Sequence, residues 1–232
     1  MHANLTSSRI VVAVDGMSKI DILCIAGELE GRVWGFKVND ALMEHGVQII
    51  EMLKNYGNVF ADPKLFDIPN IVGNQVDCLV KAGADLISVH ASGGVEMMRK
   101  AVKHGGERMV AITVLTSMPV RDMESLYNIE NPAHADPHMR RNLVKKLADL
   151  ARQANMHSIV CSSQDIPFIP PGFRIICPEI YFQGDDLGEF QGDDLDAKEV
   201  EAAHLVVIGK SITRATSPIA VVEKIKQLLG ER

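Results

Sequence analysis

The sequence predicts an α/β fold: a single (β/α)8 TIM barrel, eight parallel strands closed inside a ring of helices, as one domain over residues 1–232. Three observations point to it. Eight short β-branched runs recur along the chain. They are continuously apolar rather than alternating, as expected for strands covered on both faces. Most gaps between them carry a helix signal. The 232 residues fall somewhat short of the ~250 typical of this barrel. A doubly wound open sheet is the competing architecture, but no G-x-G-x-x-G follows the first run.

In chain order the runs are RIVVAVD from Arg9, RVWGFKV from Arg32, NVFADPK from Asn58 and DLISVHA from Asp85. They continue with MVAITVLT from Met109, HSIVCSS from His157, FRIICPEI from Phe173 and HLVVIGKS from His204. Among the gaps, DPHMRRNLVKKLADLARQAN offers Asp136 as a helix N-cap and Pro137 as its first residue. Its Leu143, Val144, Leu147, Leu150 and Ala151 share one helical face. The last segment repeats the device, with Ser217 and Pro218 ahead of a Val221, Val222, Ile225, Leu228 and Leu229 stripe. The gap QDIPFIPPG is too rich in proline for a regular helix. FQGDDL occurs twice, at Phe182–Leu187 and Phe190–Leu195, a spacing too short for a solenoid. It reads as a duplicated acidic surface loop before the eighth strand.

Composition narrows the function. A net charge of -6 and a pI near 5.7 argue against non-specific binding to nucleic acid or anionic membranes. A small anionic ligand would need a local positive site. Cys24, Cys78, Cys161 and Cys177 form no C-x-x-C pair and sit in apolar runs, so they read as buried thiols in a reducing compartment. The first apolar run is too short for a signal-peptide core, and nothing approaches a membrane span. A soluble cytoplasmic protein is expected.

In such a barrel the C-terminal strand ends form the active-site face, and the polar residues gather there. Asp15 ends the first run, Lys37 the second, Asp62 and Lys64 the third, and His90 and Ser92 the fourth. Thr116 and Ser117 end the fifth, and Gly209, Lys210 and Ser211 the eighth. Each has an innocent reading alone: a satisfied core histidine, a turn aspartate, a helix-capping serine. Their placement on one face shifts the odds. Asp62 and Lys64 stand two apart, so on a strand they point to the same side. A carboxylate and an ammonium then meet in a poorly hydrated cavity, and Lys37 completes an alternating row. Such charges are costly to bury unless paired. A salt-bridge network that only fixes register is the plainer explanation, but a barrel core is readily built from Val, Ile and Leu. Asp67 lies beyond the strand, either capping a helix that starts near Pro69 or reaching a site across a subunit boundary.

The stretch DPKLFDIPN resembles the D-x-K-x-x-D-I-P-N signature of the orotidine 5'-phosphate decarboxylase family. VVAVD, GFKV, SVHASGG, ITVLTSM, IVCSSQD and VVIGKSIT resemble that family's strand-end motifs in the same order. The D-x-K-x-x-D core is shared with a wider group of barrel enzymes; I-P-N and L-T-S narrow it to the orotidylate branch. The resemblance implies a barrel homodimer needing no metal or organic cofactor. It implies that Asp15 holds a ribose hydroxyl and that Lys37 joins the charged row and contacts ribose. Asp62 would sit beside the substrate carboxylate, and Lys64 would protonate C6 as carbon dioxide departs. Asp67 would come from the neighbouring subunit and Ser117 would contact the base. Thr116, Ile68, Gln183, Gly209 and Lys210 would complete the substrate site.

The chain departs from the family at the phosphate end. PEIY, Pro178 to Tyr181, stands where the family has P-G-I-R; Gly209-Lys210 stands for Gly-Arg; Ile71 replaces a threonine. Lys210 holds a phosphate as a point charge, without the bidentate fork of arginine, and Glu179 would repel it. Gln183 and Gln191 compete for one phosphate contact, and Arg174 has no evident place. The leading expectation is decarboxylation of orotidine 5'-phosphate to uridine 5'-phosphate in pyrimidine synthesis. The alternatives are a related barrel decarboxylase for a different nucleotide-like ligand, or a non-catalytic binding protein.

Overall fold

The computed structural model describes residues 7–126, 138–178 and 200–231. Eight parallel strands close into a barrel in sequence order. They are β1 (Ile10–Ala13), β2 (Gly35–Val38), β3 (Asn58–Leu65), β4 (Leu86–His90), β5 (Met109–Ile112), β6 (Ser158–Val160), β7 (Arg174–Cys177) and β8 (Leu205–Ile208). β1 pairs with both β2 and β8, which shuts the ring. Each predicted run contributes one strand.

The helices that cover it are α1 (Lys19–Glu28), α2 (Asp40–His45), α3 (Gln48–Leu53), α4 (Pro69–Lys81), α5 (Gly94–Gly105), α6 (Val120–Leu126), α7 (Met139–Gln153), α8 (Lys210–Thr213) and α9 (Pro218–Leu228). The Ser18 hydroxyl caps α1 by accepting the Asp21 amide. α4 and α9 open on proline, whose missing N–H costs nothing in a first turn. The segment after β6 forms only a 3-10 turn, Ser163–Phe168, with Pro167 inside it. The stripe of α7 faces the sheet, with Leu143, Val144, Leu147 and Ala151 buried. Its expected cap, Asp136 with Pro137, lies outside the described residues, as do Glu179, Tyr181, Gln183, Gln191 and both FQGDDL copies.

Alternation along the strands separates two cores. Val11, Phe60, Leu86, Val110, Ile112, Val160, Ile176, Leu205 and Val207 fill the barrel. The other faces of the same strands, with Val12, Ile87, Ile159 and Ile208 among them, pack against the helices. Gly35 lets β2 and β3 approach closely, because a side chain there would run into the Asn58 backbone.

The expectation of four buried thiols holds for Cys161 and Cys177 but not for Cys24 and Cys78, which are exposed. On α1 the inward face is Ile22, Ile25 and Ala26, and on α4 it is Val72, Val76 and Leu79. Cys24 and Cys78 fall between those positions, where a helix turns its side chains outward. Arg174 sits at the start of β7, at the end of the barrel away from the polar cluster, with its guanidinium 6.0 Å from the Trp34 ring. No described helix is long and apolar enough to cross a membrane.

Candidate active site

The C-terminal strand ends open onto a cavity of about 500 Å³. Ala13, Phe60, Ile112, Val114, Val160, Ile176 and Val207 give it apolar walls. Asp15, Lys37, Asp62 and Lys64 line it as well. They form one continuous row. Lys37 Nζ lies 2.6 Å from Asp15 Oδ2 and 3.4 Å from Asp62 Oδ2. Lys64 Nζ lies 2.6 Å from that same Asp62 oxygen.

Charge alternates along the row, so each buried group meets its opposite. The Asp62 side chain is 6% exposed and that of Lys37 10%, whereas that of Lys64 is 31% exposed. Burial works against the charge of Lys37, but Asp62 and Asp15 outweigh it and hold its pKa above the ordinary lysine value. Asp62 Oδ1 is buried and has no hydrogen-bond partner.

Lys64 reaches Asp62 through an irregular backbone. Its φ is +51°, a left-handed conformation that non-glycine residues rarely adopt. The β3–β4 ladder shifts register between Ala61 and Leu65. The Lys64 amide donates to Ser88 Oγ at 2.9 Å. His90 lies at the end of β4, its ring edge-on to Phe66 with centroids 6.0 Å apart. Burial first, then the Lys64 charge, lowers its pKa, with Asp62 opposing.

Asp15 is placed by the turn after β1, where the neighbouring Gly16 amide donates to Asp40 Oδ2 at 2.7 Å. The opposite wall depends on a second ion pair. Asp165, 1% exposed, accepts both Nε and Nη2 of Arg140 and the Ser162 hydroxyl. This clamp ties the turn after β6 to α7, beside the cavity-lining Cys161. Burial, then Cys177 and Asp165, push the Cys161 thiol pKa far up, with Arg140 opposing, which makes it a poor nucleophile.

Of the predicted site residues, the cavity gathers Asp15, Lys37, Asp62, Lys64, Thr116, Ser117, Gly209 and Lys210. It does not gather Asp67 and Ile68, which are exposed on the link between β3 and α4. Asp67 does not cap α4 either: its Oδ1 accepts the amide of Ile68, the next residue, at 2.7 Å, and the N-cap position is Ile68. Gln183 lies outside the described residues. Sequence reasoning missed Asn39, Leu115, Cys161 and Pro178 in the lining. Asn39 was findable: it directly follows the GFKV strand and is the first polar residue past its charged end. Among the described residues no three His, Cys, Asp or Glu side chains group as a metal site.

Comparison with known proteins gives concordant findings. Residues 8–225 match the model of the "Orotidine 5'-phosphate decarboxylase / HUMPS family". The chain is 31% identical to the orotidine 5'-phosphate decarboxylase of Psychromonas ingrahamii, with 97% of this chain and 98% of that protein aligned. It is 34% identical to that of a Marinomonas species, over 96% and 97% of the two chains. Among solved structures, the orotidine 5'-phosphate decarboxylase of Lactobacillus acidophilus superposes with a TM-score of 0.75 and 25% identity, covering 96% of this chain and 99% of the other.

Proposed function

The chain belongs to the orotidine 5'-phosphate decarboxylase / HUMPS family, and from that premise we propose that it decarboxylates orotidine 5'-phosphate to uridine 5'-phosphate in pyrimidine synthesis. One observation carries the reading: the paired row Asp15–Lys37–Asp62–Lys64 at the mouth of an otherwise apolar barrel, with Lys37 and Asp62 buried and Asp15 and Lys64 open to the cavity.

Loss of carbon dioxide from C6 of the pyrimidine leaves a carbanion with no conjugated sink. A fixed ammonium beside that carbon stabilises the charge as it develops and then gives up a proton to the same carbon. Lys64 is the group for this step. It is the more exposed of the two lysines and leans on a single carboxylate, so its head group faces the ligand. Lys37, held between two acids, stays charged and serves as a fixed support and ribose contact. Asp62 orients Lys64 and lies beside the substrate carboxylate. Asp15 takes a ribose hydroxyl, Thr116 and Ser117 take the base, and Gly209, Lys210 and Gln183 take the phosphate. The chemistry draws on these side chains alone, with no cofactor. The whole chain acts as one catalytic domain in the cytoplasm.

Asp67 and Ile68 serve a second copy of the chain. Phe66 and Ile68 on the connection and Ile71 in the first turn of α4 are 63%, 65% and 39% exposed, an apolar stretch that suits a homodimer contact. Asp67 lies within it and is carried to the partner's cavity.

A second reading, a nucleotide-like ligand with a smaller anionic tail, is favoured by the sequence, which has Glu179 and Tyr181 where the family has glycine and arginine, and Lys210 in place of arginine. The deciding experiment follows the absorbance of orotidine 5'-phosphate, and of the phosphate-free nucleoside beside it. The proposal expects turnover of the nucleotide, undiminished by chelator, and far slower turnover of the nucleoside. No turnover of the nucleotide, with tight binding of the nucleoside, overturns it in favour of the second reading.

A further inference from the structure

Strand β4 carries one buried polar residue beneath the catalytic lysine. Ser88 is 0% exposed in the run Leu86–His90. Leu86 belongs to the barrel interior, so by alternation Ser88 also points inward.

The β3–β4 ladder shows what it does there. Phe60 pairs with Leu86 and Ala61 with Ile87, but the next pair is Leu65 with Val89. From Ala61 to Leu65 β3 advances four residues, while β4 advances two. Asp62, Pro63 and Lys64 are therefore packed into a bulge opposite Ser88. Pro63 has no N–H to offer the ladder. The N–H of Lys64 would be stranded inside the barrel, and the Ser88 hydroxyl accepts it at 2.9 Å. The same residue carries the left-handed φ of +51°. A conformation this unfavourable for lysine persists only where its surroundings hold it.

We propose that Ser88 is the positioning residue for Lys64: its buried hydroxyl pins the bulge that aims the ammonium at Asp62 and at the reacting carbon. Without that acceptor the amide must find another partner or the chain must relax towards a regular strand. Either change swings Nζ away from the atom it serves. The effect on turnover rests on the decarboxylase reading above; the clamp itself is a property of this chain alone.

The test compares Ser88→Ala, and the near-isosteric pair Ser88→Thr and Ser88→Val, with the parent. Two readouts are taken: steady-state kinetics with orotidine 5'-phosphate, and hydrogen exchange at the Lys64 amide. Ser88→Ala is expected to lower kcat by about ten- to a hundred-fold with KM nearly unchanged, and to speed Lys64 exchange by at least about tenfold. Ser88→Thr retains an acceptor and should keep both near parental values, whereas Ser88→Val should behave like Ser88→Ala. Thr and Val share any cost of the added bulk, so the comparison stands even if Ser88→Ala folds poorly. The proposal is overturned if Val and Thr variants match in kcat and in Lys64 exchange, or if Ser88→Ala is parental in both. If the parent itself fails to turn the nucleotide over, the decarboxylase reading falls and the exchange comparison still decides the clamp.

Discussion

Replacing Lys64 with methionine keeps the side-chain stem and removes both the charge and the proton. Asp62 loses a partner at 2.6 Å but keeps Lys37 at 3.4 Å. At an effective dielectric of about 20, that surviving contact is a gross attraction of about 5 kcal/mol, so Asp62 stays paired. The fold should lose only about 1–2 kcal/mol, less than the ~3–5 kcal/mol of a buried ion left wholly unpaired. Catalysis should suffer far more. One preorganised electrostatic contact contributes about 10²–10³ in rate and one positioned proton donor about 10²–10⁴. On the proposed assignment Lys64 supplies both, so kcat/KM for orotidine 5'-phosphate should fall by at least about 10⁴, some 5.5 kcal/mol of transition-state stabilisation. Lys64→Arg separates the two roles, keeping a charge that does not give up its proton. The assay is single-turnover absorbance decay, with binding of uridine 5'-phosphate and thermal unfolding measured on the same preparations. A folded Lys64→Met that keeps more than a hundredth of parental turnover refutes the assignment.

Three further outcomes are expected. Arg140→Met strips Asp165 of its bidentate partner inside the protein; the ~3–5 kcal/mol cost should lower Tm by about 10 °C in differential scanning calorimetry, and an unchanged Tm would dismiss the clamp. His90 titrates below its ordinary value of about 6.5 in the folded chain, so between the two values the unfolded chain binds more protons. Stability should then fall as pH drops from about 6.5 through the folded value; urea midpoints of His90→Gln should decline less over that range, and parallel curves would contradict this. Mixing inactive Lys64→Met with inactive Asp67→Ala chains should restore part of the turnover if Asp67 crosses a dimer interface, because half the sites in a mixed dimer are intact. No recovery, with mixed dimers shown to form, would place Asp67 elsewhere.

The barrel was legible because its signals are local and repeated. Apolar runs bounded by charge become strands covered on both sides, and prolines such as Pro69 and Pro218 mark helix starts. The charged row was legible for the same reason: Asp15, Lys37, Asp62 and Lys64 each interrupt an apolar run at its C-terminal end, and a barrel brings those ends together. The bulge was not legible. Simple alternation puts Asp62 and Lys64 on one side, and they do converge, but through a left-handed lysine with no glycine nearby to announce it. Ser88 was passed over because one serine in LISVH looks like a tolerated core hydroxyl; only the pairing register shows what it faces. Cys24 and Cys78 were misjudged because apolar neighbours in sequence say little about which side of a helix a residue takes. Asp67 and Ile68 belong to a different kind of problem, since a single chain leaves them at its surface.

The two lysines show why the site is built as a row rather than a pair. A lone Lys64–Asp62 contact would be free to rotate as a unit, with the ammonium choosing between solvent and ligand. Lys37 prevents this by gripping the same Asp62 oxygen from the other side, while Asp15 anchors Lys37 in turn. Asp62 is thereby fixed, even though its Oδ1 is buried without a partner. Alternating charge makes the row nearly neutral, which limits its burial cost, yet leaves a positive end at Lys64. In the proposed reaction a fixed dipolar row of this kind would need no reorganisation as negative charge develops on a ligand carbon beside that end, and lack of reorganisation is what separates catalysis in a protein cavity from the same groups in water.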